Sequence, residues 1–404
     1  RYSWGQSGNA PSGTSPYIGT FEAVTPGYGD MNAVKPASPD LTHLKYETIT
    51  SNNIGVDFGL FSDKVNFTFE LYKKVTDDLL QKKMKVPSST GLSTVAWYNS
   101  GKIQNKGWEF NIDIAAVKTK DWSFNFGFNI SQNKNEILEL PENKNDELYT
   151  FGNKNYAYSV MMGDPLGSFY GYRYKGVYQN VEETYAVNTS GQRILDIDGN
   201  PVVMKNGDQK VYPGDARYED VNGDGVIDEN DIVYLGNSNP TLTGGLNFTL
   251  RYKKVSLVAA FHGRAGQKVI NQARMDMENM RGKNNQSVAV LRRWRSEGDD
   301  TDIPRALYDK GYNYLGSDRF VEDASFLRLK TVTLKYQMPA KWMKAIGVNK
   351  LELYATGYDM FVWTKYKGQD PEVNLKAAND GTVAQVAIDS NNTPKPFKLS
   401  LIHI

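Results

Sequence analysis

Ile54, Val56, Phe58 and Leu60 fall on one side of the chain, with Asn53, Gly55, Asp57 and Gly59 between them. The same period of two runs through Val65, Phe67, Phe69 and Leu71, and through Trp108, Phe110, Ile112 and Ile114. Trp122, Phe124, Phe126, Phe128 and Ile130 repeat it, as do Leu246, Phe248 and Leu250, then Val255, Leu257, Ala259 and Phe261, then Leu351, Leu353 and Ala355. Successive strand side chains point to opposite faces, so strict alternation predicts strands with one apolar and one polar face. The pattern places strands at 1–5, 51–61, 65–79, 103–117, 122–136, 241–252, 255–264, 320–337, 350–363 and 396–404. In "SFLRLKTVTLKY" the apolar residues change phase between Leu329 and Val332, as a β-bulge would make them do. The stretch 287–299, "SVAVLRRWRSEGD", reads as a short amphipathic helix inside a loop.

The connections alternate too. Those at 62–64, 118–121 and 253–254 are tight, whereas 81–102, 137–240, 263–319 and 364–395 are long. Short turns on one side and long loops on the other are the rhythm of an outer-membrane barrel. The apolar faces carry no charge across their middles. A lipid-facing Lys or Arg at mid-depth costs about 2–4 kcal/mol, so clean faces suit a bilayer. A soluble β-sandwich core would accept the same faces, so a secreted all-β glycan-binding module is the alternative. Hairpin parity makes the stretch 137–240 one external excursion, because strand 122–136 runs outward and 241–252 runs back. Pairing within it, for example of 169–178 with 209–215, is expected to involve an even number of strands.

Composition narrows the classes. The 404 residues carry 47 Lys+Arg against 46 Asp+Glu, without the basic excess of a nucleic-acid binder. There is no Cys, which excludes disulfides, thiolate metal sites and a Cys nucleophile, and the three His are far apart. No run of eighteen apolar residues predicts a membrane-spanning helix. Tyr is abundant, at 25 residues, and suits both strands and membrane–water interfaces. No Ser-centred elbow, phosphate loop or His pair is present, and the acid pairs Asp77–Asp78 and Asp299–Asp300 sit in polar surroundings. The sequence therefore offers no catalytic or cofactor-binding residue, and the expectation is that the protein is not an enzyme.

The strongest local motif is "YEDVNGDGVIDENDIVYLGN", 218–237. Asp220, Asn222 and Asp224 take positions 1, 3 and 5 of an EF-hand loop, and Gly225 supplies the sharp turn. Val226 offers its carbonyl, Asp228 stands at position 9, and Asp231 replaces the usual bidentate Glu, as in dockerin-type loops. Hard oxygen donors at alternate positions suit Ca²⁺. The competing reading is an Asx-rich turn that bends the chain without metal. The flanks do not read as helix. If Ca²⁺ binds, it is expected to pin the long loop in place of packing that an external loop does not supply. Loop aromatics Trp97, Tyr98, Trp294, Tyr312, Tyr314 and Trp363 offer sugar-stacking surfaces, or else an interfacial girdle and loop packing. Glu109, Asp113, Arg251 and Glu352 on the polar faces either line a solute path or solvate the inner wall.

Four segments in register resemble the SusC/RagA-type TonB-dependent transporters: "LKYETITSNNIGVDFGLFSDKVNFTFELYKKVTDDLL", "LRRWRSEGDDTDIPRA", "DRFVEDASFLRLKTVTLKYQMP" and "YDMFVWTKYKGQDPEV". The resemblance covers residues 1–398. It implies an all-β antiparallel transmembrane barrel in the Gram-negative outer membrane, of which the chain supplies about ten C-terminal strands out of about 22. It also implies import of oligosaccharides or peptides, with a SusD-like surface lipoprotein as lid and TonB contacting an N-terminal part that lies upstream. The family ends on an aromatic strand finishing in Phe, whereas "LSLIHI" follows Lys398 here. That hexapeptide is the translation of a transposon end used in sequencing libraries. Residues 399–404 are therefore expected to be adapter read-through, and His403 is given no role.

Overall fold

In the computed structural model, the described residues are 1–12, 15–25, 31–92, 94–140, 149–150, 156–158, 161–309, 311–345, 347, 351–373, 375–377, 385–389 and 398–403. The chain divides into two units, one of residues 1–117, 125–147 and 160–166, the other of 118–124, 148–159 and 167–404. The principal strands of the first are β1 (Tyr2–Asn9), β2 (Glu47–Leu60), β3 (Val65–Asp77), β4 (Lys102–Lys118) and β5 (Trp122–Glu139), antiparallel and paired in chain order. The first three residues of β5 belong to the second unit. The second has β6 (Leu242–Tyr252), β7 (Val255–Ala265), β8 (Phe326–Gln337), β9 (Glu352–Thr364) and β10 (Lys398–His403), also paired in order.

Register turns the alternation into rows. Leu60, Val65 and Ile114 lie directly opposite one another across three strands, as do Phe58, Phe67 and Ile112, then Val56, Phe69 and Phe110, then Ile54, Leu71 and Trp108. The intervening rows are polar, with Asp57, Thr68 and Asn111 in one and Gly59, Asn66 and Asp113 in another. In the second unit Leu250, Leu257, Leu334 and Ala355 form an apolar row, and Thr249, Val258, Thr333 and Thr356 the next row on the other face. A slip of one residue would exchange the faces of a strand, so this register is what keeps each face of one kind.

The apolar rows do not pack against a second sheet among the described residues. Among the described residues, the four buried hydrophobic clusters are built from the long connections and strand ends, and contain none of the row residues just named. Ile54 and Phe58 remain about half exposed, at 53% and 51%. Neighbouring rings cover one another only sideways, as with Phe58 on Phe67 at 5.1 Å between centroids. An apolar face left bare over so many strands has lipid, not protein, as its complement. The sandwich alternative is thereby corrected: it requires a facing sheet, and its core would lie between the sheets.

The phase change in β8 is a bulge. The register of β8 with both neighbours skips Lys330, which faces Asp359 and Met360 of β9. Asp359 has a positive φ of 49° there. Leu327 and Leu329 thus regain the apolar side that Val332 and Leu334 occupy. Two expectations need correction. Residues 287–299 form only a five-residue 3-10 turn, Val288–Arg292, and the α-helices among the described residues are α1 (Gln272–Glu278) and α2 (Ala340–Ala345). The connection 10–46 is also long and carries its own hairpin, Thr20–Val24 with Ala33–Ser38. Residues 398–403 continue the ladder beside β9. Backbone pairing of that kind makes no demand on side-chain identity; residues 391–397 and Ile404 lie outside the described residues.

Candidate functional site

The connection between β5 and β6 is a folded body, not a tethered loop. Ser168–Gly171 pairs with Val233–Asn237, and Tyr174–Val177 with Ala216–Tyr218. Lys205–Asn206 lies between Gln209–Lys210 and Val226–Ile227. The pairing of 169–178 with 209–215 is realised only at Tyr178, whose N–H donates to Asp215 and whose carbonyl accepts from Gly214. Tyr178, Ala186, Met204, Val211, Ala216, Tyr218 and Ile227 form a buried core in this body. The expectation that an external loop lacks packing is therefore wrong here. The apolar residues that fill this core are spread over some fifty positions and follow no period, so the sequence pattern did not reveal them.

The calcium-type loop sits on that core. Ile227, at position 8, is 2% exposed and anchors it. Asp220 Oδ1 accepts from the Gly223 N–H at 2.7 Å, and Oδ2 from Gly225 at 2.8 Å. Gly225 has φ of +85°, the left-handed geometry the turn requires. Asp224 Oδ1 accepts from the Val226 N–H at 2.8 Å, and Asn222 Nδ2 donates to Asp224 Oδ2 at 2.8 Å. Asp228 and Asp231 form a capping box on the 3-10 turn Glu229–Asp231. Asp231 is fully buried, and its two oxygens accept from Val221 and Asp228 at 2.7 and 2.9 Å. Burial raises its carboxyl above the usual carboxylate range. The donors all suit a hard cation, yet among the described residues no three acids are gathered around one point. The side chains instead cap backbone N–H groups.

The aromatic candidates act in packing. Trp294 lies against Gly214, where a Cβ would run into the indole, and its Nε1 donates to Gln179 at 3.2 Å. Tyr98 donates to Gln81 at 2.7 Å, Tyr312 donates to Asp208 at 3.2 Å, and Tyr314 carries the Arg281 guanidinium over its ring. Trp97 is half-buried in the strand Thr94–Asn99. Trp363 is 52% exposed beside Phe261 and Phe361, in the manner of an interfacial girdle. On the polar side of the first unit, Glu70 lies opposite Glu109, and Arg1 reaches both Glu70 and Asp57.

Two ion networks escaped the sequence reading. Arg274 and Arg319 both hold Glu278 at 2.9 Å, and Arg274 also holds Glu322 at 2.9 Å. Arg328 on β8 is buried at 2% exposure and binds Asp370 at 2.6 Å and Glu372 at 2.9 Å. Lys330, at the bulge, reaches Asp359 at 3.3 Å and Glu372 at 3.4 Å. The "RLK" of one quoted segment thus binds the "DPE" of another. The signal was present as two charged clusters, but one sequence does not say that they meet.

Bare apolar rows, polar opposite faces and structured long connections define a membrane β-barrel wall. The family model described as "TonB dependent receptor-like, beta-barrel" matches residues 1–223, and the chain belongs to that family. It is 30% identical over 392 residues to TonB-dependent receptor P3 of Formosa agariphila, covering 94% of this chain and 36% of that protein. Over 342 residues it is 28% identical to TonB-dependent receptor SusC of Bacteroides thetaiotaomicron, covering 82% of this chain and 30% of SusC. The structure of the RagAB peptide transporter superposes with a TM-score of 0.73 at 22% identity, over all of this chain and 40% of that one. The chain is therefore of the SusC/RagA type and of the outer membrane, and spans about a third of the length of these relatives. Transporters of this family are not enzymes.

Proposed function

We propose that the chain forms part of the wall of an importer that carries oligosaccharides or peptides across the outer membrane. Passage is powered through TonB, and a SusD-like lipoprotein closes the outer mouth. The observation that carries this reading is the division of β2, β3 and β4 into an apolar side bare of protein and a polar side, together with a long connection between β5 and β6 that has a buried core of its own. Kinship with SusC and likeness in fold to a peptide transporter support it, and leave both substrate classes in play. The test is deletion of the full-length gene, with uptake of labelled oligosaccharides and peptides measured in the same cells. Loss of uptake of one class, restored by the gene, is expected. Unchanged uptake of both classes would contradict the proposal.

We also propose that Ca²⁺ occupies the loop through the side chains of Asp220, Asn222, Asp224, Asp228 and Asp231 and the Val226 carbonyl. Support comes from the all-oxygen donor set and from an acid, Asp231, buried beside Asp220 and accepting from the backbone N–H groups of Val221 and Asp228. When bound, the ion would supply charge compensation for these carboxylates. Its effect would be local to the surface of the folded body, where the lid is proposed to dock. Calcium titration of the full-length protein is expected to show one ion per loop, and uptake of none would contradict this.

A further inference from the structure

Lysines stand at the edge of the apolar belt in the first unit. Ile54, Leu71 and Trp108 are the last apolar row towards the long connections. The next row on the same face is Asn52, Lys73 and Lys106, each directly opposite its neighbour. On β5, Gln132 and Lys134 share the face of Ile130, and the Trp108 indole N–H fixes Gln132 at 2.7 Å. Like charges directly opposite on antiparallel strands destabilise the pair, so Lys73 and Lys106 require an explanation. One carboxylate serves part of the cluster: Glu136 lies 3.7 Å from Lys106 and 3.5 Å from Lys134. Lys73 makes no ion pair among the described residues. Three ammonium groups against one carboxylate leave two positive charges uncompensated. They rim an open cleft of about 460 Å³ whose floor is Ile54, Leu71 and Trp108.

We propose that this cleft binds the phosphorylated headgroup of an outer-leaflet glycolipid. The lysines take the phosphate, and the acyl chains lie along the apolar rows below. An anion between Lys73 and Lys106 removes their repulsion, and a ligand with both phosphate and hydrocarbon matches a site that is cationic above and apolar beneath. The indole at the boundary has the amphipathic character that favours this depth. The inference rests on the orientation proposed above, in which the long connections face outward. It is tested without transport, so a failure of import leaves it standing.

The experiment titrates full-length protein in neutral detergent with bis-phosphorylated lipid A, with heat-modified electrophoretic mobility as the folding control. Each basic group at an anionic surface contributes about fivefold, so Lys73→Gln alone should weaken binding about fivefold, and together with Lys106→Gln and Lys134→Gln roughly a hundredfold. The three corresponding Lys→Arg changes should retain binding. Dephosphorylated lipid A should bind as weakly to wild type as lipid A does to the triple variant. Equal binding of lipid A by wild type and Lys73→Gln, or of the two lipids by wild type, would overturn the proposal. Displacement of lipid A by millimolar inorganic phosphate would assign the cleft to the free ion and overturn it as well.

Discussion

Arg328→Met should destabilise the protein by about 3–5 kcal/mol, the cost of breaking a buried ion pair by removing one of its members. Arg328 is 3% exposed in its side chain, and Asp370, which it binds at 2.6 Å, is also 3% exposed. Glu372 is 11% exposed in its side chain, and would lose the Arg328 contact at 2.9 Å while keeping Lys330 at 3.4 Å. Two carboxylates would lose the buried guanidinium that they share. Because they belong to the segment that follows β9, its detachment should accompany the loss. Trypsin cleavage at Lys365 and Lys367 should accelerate, and the urea midpoint of the full-length barrel should fall. Restoring an apolar match with Asp370→Leu and Glu372→Leu should recover part of the stability, since the penalty lies in burying carboxylates without the opposite charge of Arg328. A change under about 1 kcal/mol in Arg328→Met would show that the network is solvated and that this account of it is wrong.

Ile227→Ala should cost the folded body between β5 and β6 about 2–5 kcal/mol, the range for truncating a buried aliphatic side chain. Ile227 is buried among Ala186, Met204 and Tyr218, yet it belongs to the calcium-type loop. The variant should therefore expose residues 167–240 to protease even in saturating calcium. Asp220→Ala with Asp224→Ala should abolish calcium uptake while leaving most of that protection, because the core remains. Binding should also weaken on acidification sooner than at an exposed Asp site. Asp231 is held above the ordinary carboxylate range by burial, so protons compete for it at a higher pH. Full protection of Ile227→Ala would show that the core does not hold the body together. Undiminished calcium uptake by the Asp variant would show that the ligands are wrongly assigned.

The strands were legible because lipid and water impose a period of two, and every residue of a row reports the same constraint. Phe67 and Thr68 carry that information without their neighbours. The bulge at Lys330 was legible for the same reason, since the phase of Leu329 against Val332 is a local property. The body at 167–240 was not. Its core joins Tyr178 to Ile227 through short strands of two to four residues, too brief for any period to show. The loop ligands were found by spacing, but spacing did not reveal that Asp228 and Asp231 cap a 3-10 turn. The pairing of Arg328 with Asp370 spans 42 positions and depends on the fold having formed.

The most direct test of the lipid-facing wall uses the absence of cysteine from these residues. Single cysteines are placed at positions 108 to 114, one at a time, in a cysteine-free background of the full-length protein in outer-membrane vesicles. Each is then assayed for labelling by a membrane-impermeant thiol reagent. Glu109, Asn111 and Asp113 positions should label, and Trp108, Phe110, Ile112 and Ile114 positions should not, while a fluorophore at the latter should be quenched by brominated lipid. Labelling that ignores this alternation, or quenching on the polar side, would contradict the barrel.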